Sequence, residues 1–306
     1  MKARYILIPA ELTAGVINSL YCYVFLRDGS ILLNRLLETH KHDGNYYRTR
    51  DEAAERLRNR EQERWEIRSD RGELLRGFYF PGSGDRRRVA FLVHGYRSEH
   101  ADTAGRFYDF YARRGFDLFC CDHAAHGASE GKFIGFATRE PDDCLKWLDE
   151  LLRRLGPDVE ILLHGFSMGA ATVLRMTDRL PPQVKFVIED SGFRSAERQL
   201  KGETGPLYPV LRFLHRRVAG LDLRDGDTAP ALSKAAIPIL FVHGTKDTTV
   251  PYKNGPALFD AYQGEKACLF VPGARHIEAL YRDPEGYGDA VDRMIEKYVE
   301  CMMNHE

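Results

Sequence analysis

The sequence has little excess charge, no paired cysteine motif and no apolar run of membrane length. Its 44 lysines and arginines nearly balance 45 aspartates and glutamates, for a formal net charge of −1. That removes any global electrostatic drive toward nucleic acid or an anionic membrane. The basic runs Arg86-Arg87-Arg88 and His215-Arg216-Arg217 are short and lack interleaved aromatics, so they read as solvated faces. Arg216 and Arg217 are kept as candidate contacts to an anionic substrate. Six cysteines are present, but no two have C-x-x-C spacing, and no secretory signal with a small-residue cleavage site is seen. Reduced thiols in a cytoplasmic protein are the expectation. Cys120 and Cys121 are neighbours in one strand, so they should point to opposite faces. His123 and His126 have ligand-like spacing, but no second cluster accompanies them, and no metal or cofactor is expected.

The stretch Leu12–Leu26 is free of charge but shorter than the ~20 apolar residues that span a bilayer, and Asn18 and Ser19 interrupt it. It reads as a helix packed on the body or on another subunit, with membrane contact as the lesser alternative. Thr49-Arg50-Asp51-Glu52 has a capping-box pattern and should open a charged helix to about Arg60. There is no internal repeat and no low-complexity tract. With 306 residues, 43% of them hydrophobic, the chain has enough apolar residues for one large core. The expected organisation is an N-terminal helical extension over residues 1–63 and a main domain over residues 64–306.

The main domain reads as alternating strands and helices. A hairpin around Asp70-Arg71-Gly72 opens it. Continuous apolar strands follow near Val89–Val93, Leu118–Cys121, Ile161–His164, Val184–Ile188, Ile239–Val242 and Leu269–Val271. A helix is expected from Pro141 to Leu155. Strands apolar on both faces imply a mostly parallel, twisted sheet with helices on both sides, an α/β fold. Residues 195–230 form an insertion without strand pattern, in which Val210–Leu214 has helical spacing.

The most informative segment is Gly165-Phe166-Ser167-Met168-Gly169, between the apolar run from Val159 and a helical run from Ala170. A strand, a tight glycine-flanked turn and a helix are what the G-x-S-x-G elbow requires. The turn lifts the hydroxyl clear and sets it at a helix N-terminus. A serine needs a base, and the base needs an orienting acid. Asp247 follows the strand Ile239–Val242, and His276 follows the strand Leu269–Val271. Ser167 is therefore the candidate nucleophile, His276 the base and Asp247 the orienter. Asp190, after the strand Val184–Ile188, is the alternative acid. Backbone N–H groups of Met168 and of Tyr96, in His94-Gly95-Tyr96, are the candidate oxyanion donors. His94 is expected to fix the shape of that loop.

From about Arg64 to the C-terminus the chain resembles the α/β-hydrolase superfamily. The resemblance rests on His94-Gly95-Tyr96, Asp122 with His126-Gly127-Ala128-Ser129-Glu130-Gly131, the Ser167 elbow and the Asp247 and His276 loops. It is similar to the bacterial serine aminopeptidase, lysophospholipase-like and prolyl-oligopeptidase-related branches. Those carry Arg and Gly where Ala124 and Ala125 stand. The resemblance implies ester, thioester or amide hydrolysis of a small-molecule ester or acyl substrate through an acyl-enzyme, with an ester preferred, and makes the 195–230 insertion a lid. Leu207, Tyr208, Leu211, Phe213 and Leu214 would then line an acyl pocket. Amide hydrolysis, acyl transfer and a non-catalytic binding role stay open, as does a homo-oligomer.

Overall fold

The computed structural model describes residues 10–27, 44–82 and 88–299. Arg86, Arg87 and Cys301 lie outside the described residues. Helix α1 (Ala10–Phe25) and helix α2 (Gly44–Arg58) precede the sheet. The hairpin is β1 (Glu63–Arg68) and β2 (Leu74–Phe80), turning at Gly72 with φ 87°. Next come β3 (Arg88–Val93), α3 (His100–Ala112), β4 (Asp117–Asp122), α4 (Glu140–Leu155), β5 (Glu160–Phe166), α5 (Met168–Leu174) and β6 (Val184–Asp190). The inserted helices α6 (Ala196–Thr204), α7 (Tyr208–Ala219) and α8 (Ala229–Leu232) follow. The chain ends through β7 (Ile239–Gly244), α9 (Asn254–Ala261), β8 (Lys266–Val271), α10 (Ala279–Arg282) and α11 (Pro284–Tyr298).

The eight strands form one sheet in the order β1-β2-β4-β3-β5-β6-β7-β8. β2 is antiparallel to β1 and β4, and every other pairing is parallel. Alternation along each strand feeds two cores. Ala90, Leu92, Leu118 and Cys120 face α3 and α11, with Phe107, Tyr287 and Val291. Val89, Phe91, Phe119 and Cys121 face the other side, with Trp147 and Leu151 of α4 and Val173 of α5. Cys120 and Cys121 thus do lie on opposite faces, and burial of both faces explains why these strands are apolar throughout.

A third cluster sits beyond the end of β5 and joins α1 to the insertion. It holds Tyr21 and Phe25 of α1, Phe136, Met168, Phe193, Tyr208, Leu211 and Val250. The Phe25 ring stacks on His215 of α7 at 4.1 Å, and Ile134 N–H donates to the Phe25 carbonyl at 2.9 Å. The insertion is closed at its root by a bridge between Ser195 and Asp227.

One expected boundary is moved. α2 begins at Gly44, so Thr49 lies inside the helix, and its hydroxyl donates to the Asn45 carbonyl at 2.9 Å rather than capping. Buried Tyr46, Ala53 and Leu57 share one helical face. Extending the helix back to Tyr46 buries that ring against the body. α2 comes so close to α3 that a Cβ on Gly105 would meet the Ala53 backbone at 2.7 Å.

Candidate active site

Ser167 stands between β5 and α5 with φ 54° and ψ −115°, a conformation that L-residues rarely adopt. Tight packing enforces it. A Cβ on Gly165 would meet the Gly169 carbonyl oxygen at 2.3 Å, and one on Gly169 would meet the Val93 carbonyl oxygen at 2.0 Å. The Ser167 N–H donates to the Asp190 carbonyl at 2.9 Å, tying the turn to β6. The motif's glycines are therefore required by contact with neighbouring backbone.

Three side chains from three strand ends meet at this turn. His276 Nε2 is 2.8 Å from Ser167 Oγ, and His276 Nδ1 is 2.7 Å from Asp247 Oδ2. The second Asp247 oxygen accepts N–H bonds from Thr249 and Val250, both at 2.9 Å. Burial alone would raise the Asp247 carboxyl. Instead His276 and His243 hold it well below the usual carboxylate range, so it is ionised at neutral pH. Asp190 is engaged elsewhere: its carboxylate accepts from Ser191 Oγ at 2.8 Å and from Tyr287 OH at 3.0 Å.

The Tyr96 loop passes close to the serine, since a Cβ on Gly95 would meet Ser167 Cβ at 3.2 Å. Among the described residues, the Tyr96 and Met168 N–H groups donate to no backbone carbonyl outside their own elements. His94 fixes the loop from below. Its Nδ1 meets the Gly95 carbonyl at 2.8 Å and its Nε2 accepts from His123 N–H at 3.0 Å. His126 Nε2 accepts from Arg97 N–H at 3.1 Å. Burial, and then repulsion among the rings, holds His94, His123 and His126 down to about 3, so all three are neutral. His94 and His126 accept through Nε2, while His123 Nε2 donates to the His94 carbonyl at 3.2 Å.

In the Asp122 loop the two alanines have distinct settings. Ala125 takes φ 64° and donates its N–H to Glu130 O at 2.9 Å, while Ala124 is fully buried. Asp122 accepts from His100 N–H and Ala128 N–H, both at 2.7 Å. Among the described residues, one group has the donors for a metal ion. Cys121, His123 and Cys144 are buried, with ligand atoms within 4.8 Å of one another, and His123 Nδ1 has no partner.

The candidate pocket residues divide. Tyr208 and Leu211 are buried beside Met168, with Leu207 and Leu214 packed against the same cluster. Phe213 is 66% exposed and does not join them. Two positions after Leu211, it is rotated by about 200° to the far side of α7.

Sequence reasoning missed two supports. The Tyr96 hydroxyl donates to the Tyr23 and Val24 carbonyls at 3.2 and 2.9 Å, so the end of α1 holds the loop beside Ser167. Tyr46 OH of α2 reaches the Ile277 carbonyl at 3.3 Å, next to His276. The α1 acceptors are backbone carbonyls, which leave no side-chain signal, and Tyr46 was the sequence signal for the second support. His243 was also passed over: fully buried, it lies 3.4 Å from Asp247 Oδ2. A histidine four positions before the acid was the signal there.

A family model described as serine aminopeptidase, S33, matches residues 84–221, a span that includes Ser167 and ends before Asp247 and His276. The Pyrococcus furiosus esterase Pf2001 superimposes with a TM-score of 0.63 at 18% identity, over 79% of this chain and 95% of that one. The chain has the α/β-hydrolase fold. Among curated relatives, this chain is 25% identical over 191 residues to Bacillus subtilis (strain 168) YqkD, an uncharacterised protein. That match covers 60% of this chain and 63% of YqkD, just under two thirds of the relative's length. The human alpha/beta hydrolase domain-containing protein 17B is 25% identical over 242 residues, covering 78% of this chain and 75% of the relative. No helix among the described residues is long and apolar enough to cross a membrane.

Proposed function

We propose that this α/β-hydrolase is a serine esterase that works through an acyl-enzyme. The observation that carries the reading is the hydrogen-bonded run from Ser167 Oγ to His276, 2.8 Å, and from His276 to Asp247, 2.7 Å. Ser167 Oγ attacks the substrate carbonyl carbon as His276 Nε2 takes its proton. Asp247 accepts from Nδ1–H, fixing the tautomer and stabilising the imidazolium. The Tyr96 and Met168 N–H groups receive the oxyanion, each worth about 10²–10³ in rate. His276 then protonates the departing alcohol. Water, deprotonated by the same histidine, attacks the acyl carbon, and Ser167 leaves with the free acid released.

The esterase named among the structural neighbours agrees with an ester as substrate. The insertion over residues 195–230 acts in this reading as a lid, with Tyr208 and Leu211 beside Met168 as the apolar wall for a small acyl group.

The test is hydrolysis of p-nitrophenyl esters of increasing acyl length by wild type and Ser167→Ala. The expected result is a maximum at one chain length, with turnover abolished in the variant while its circular dichroism is unchanged. Hydrolysis retained by the variant would overturn the assignment.

A further inference from the structure

Thr248 and Thr249, in the turn that carries Asp247, also line a cavity of about 580 Å³. Its other walls come from α6 with its approach and from the segment entering α9. Neither Ser167 nor His276 lines it. The volume falls within the range of small-molecule sites, roughly 300–1,000 Å³.

Its charge is one-sided. Arg194, Arg198 and Lys253 contribute three cations, against the single carboxylate of Glu203, which accepts from Gln199 Nε2 at 2.7 Å. Among the described residues, none of the three cations has a carboxylate partner, whereas the neighbouring surface cations Lys201 and Arg212 pair with Glu197 and Asp222. Three like charges around one concavity repel one another, and an anion among them relieves the repulsion. Guanidinium groups also match the fork of a carboxylate or phosphate. The hydroxyls of Thr248 and Thr249 and the Asn254 amide supply neutral donors on the same walls.

We infer that this cavity binds the phosphate or carboxylate group of a small molecule. The site is coupled to Asp247 through one residue: Thr249 N–H donates to Asp247 Oδ1 at 2.9 Å, and Thr249 O accepts from Gln199 Nε2 of α6 at 2.7 Å. The anionic group belongs either to the distal end of a substrate or to a separate effector. The binding step is independent of the esterase reading, and only the choice between these two sources rests on it.

The probe is sodium pyrophosphate, titrated calorimetrically into the full chain at low ionic strength. Wild type is expected to show saturable 1:1 binding that weakens as salt rises. Arg194→Gln/Arg198→Gln/Lys253→Gln should bind at least about tenfold more weakly with an unchanged melting curve. The single change at exposed Lys253, Lys253→Gln, gives a smaller loss and serves if the triple variant misfolds. No saturation up to about 10 mM, or equal affinity in the variants, overturns the proposal. p-Nitrophenyl butyrate kinetics then separate the sources. Pyrophosphate that raises KM alone marks the distal end of the substrate, and a change in kcat at constant KM marks an effector. Binding that moves neither constant overturns the coupling to Asp247. Because calorimetry needs no turnover, failure of the esterase reading leaves the binding result intact.

Discussion

Ser167, Asp247 and Glu189 show how individual positions are held away from their ordinary states. The positive φ of Ser167 costs about 1–3 kcal/mol, which the packed glycine turn and its bond to the Asp190 carbonyl offset. Asp247 is committed to His276, and Asp190 is committed to Ser191 and Tyr287. In the proposed mechanism Asp247→Asn should lower kcat by about 10³–10⁴ through the wrong histidine tautomer. Asp190→Asn should leave kcat within about tenfold and lower stability by about 1 kcal/mol. Steady-state kinetics and urea unfolding of the two variants check this, and the reverse ranking would move the acid to Asp190. Glu189 is fully buried below the same turn and bonds Gly192 N–H, with His243, Asp190 and Asp247 as its charged or titratable neighbours. Burial pushes its carboxyl up to about 7, against an ordinary 4.5. A carboxyl that keeps its proton longer in the folded state stabilises the fold fully below the ordinary value. That contribution is lost as pH rises through about 7, a change of about 3 kcal/mol. Relative to wild type, Glu189→Gln should therefore gain about that much stability between pH 4.5 and pH 8. Urea midpoints at both pH values test it, and a difference independent of pH would reject it.

At the scale of elements, α1 and α7 are organised around a shared apolar seam. Phe25 is 1% exposed, stacked on His215 and edge-on to Phe136 at 5.7 Å, whereas Phe213 of α7 is 66% exposed. Phe25→Ala should cost about 3–5 kcal/mol through lost burial and the cavity left behind. Phe213→Ala should stay within about 0.5 kcal/mol. Thermal or urea unfolding of the pair checks the phase assigned to α7, and equal effects would contradict it. The seam was hard to read from the sequence because its members lie far apart in the chain. Tyr21 meets His215 across 194 positions, and nothing in the composition of either segment names the other. The central strands β3, β4, β5, β6 and β7 were legible because each carries its own signal, a run apolar on both faces. The start of α2 was misread because Thr49-Arg50-Asp51-Glu52 satisfies a local capping rule, while Tyr46 extends the helix through a tertiary contact that no local rule contains.

Across the whole molecule, one eight-stranded sheet brings distant strand ends to a common edge. The meeting of Ser167, Asp247 and His276 could be anticipated from sequence because each follows a strand, and a parallel sheet brings such ends together. The cavity beside Asp247 was not identifiable, since Arg194, Arg198 and Lys253 come from two segments that converge only in the folded chain. The docking of α1 and α2 has a consequence for synthesis. These helices leave the ribosome well before some of their partners, since His215 follows Tyr21 by 194 residues and Ile277 follows Tyr46 by 231. At about 5–20 residues per second, their partners arrive some 10–50 s later. Throughout that delay Tyr21, Phe25 and Tyr46 lack part of the native surface that covers them. The nascent chain therefore holds these aromatic side chains without their full cover, and the Tyr46 contact beside His276 forms only once Ile277 has emerged.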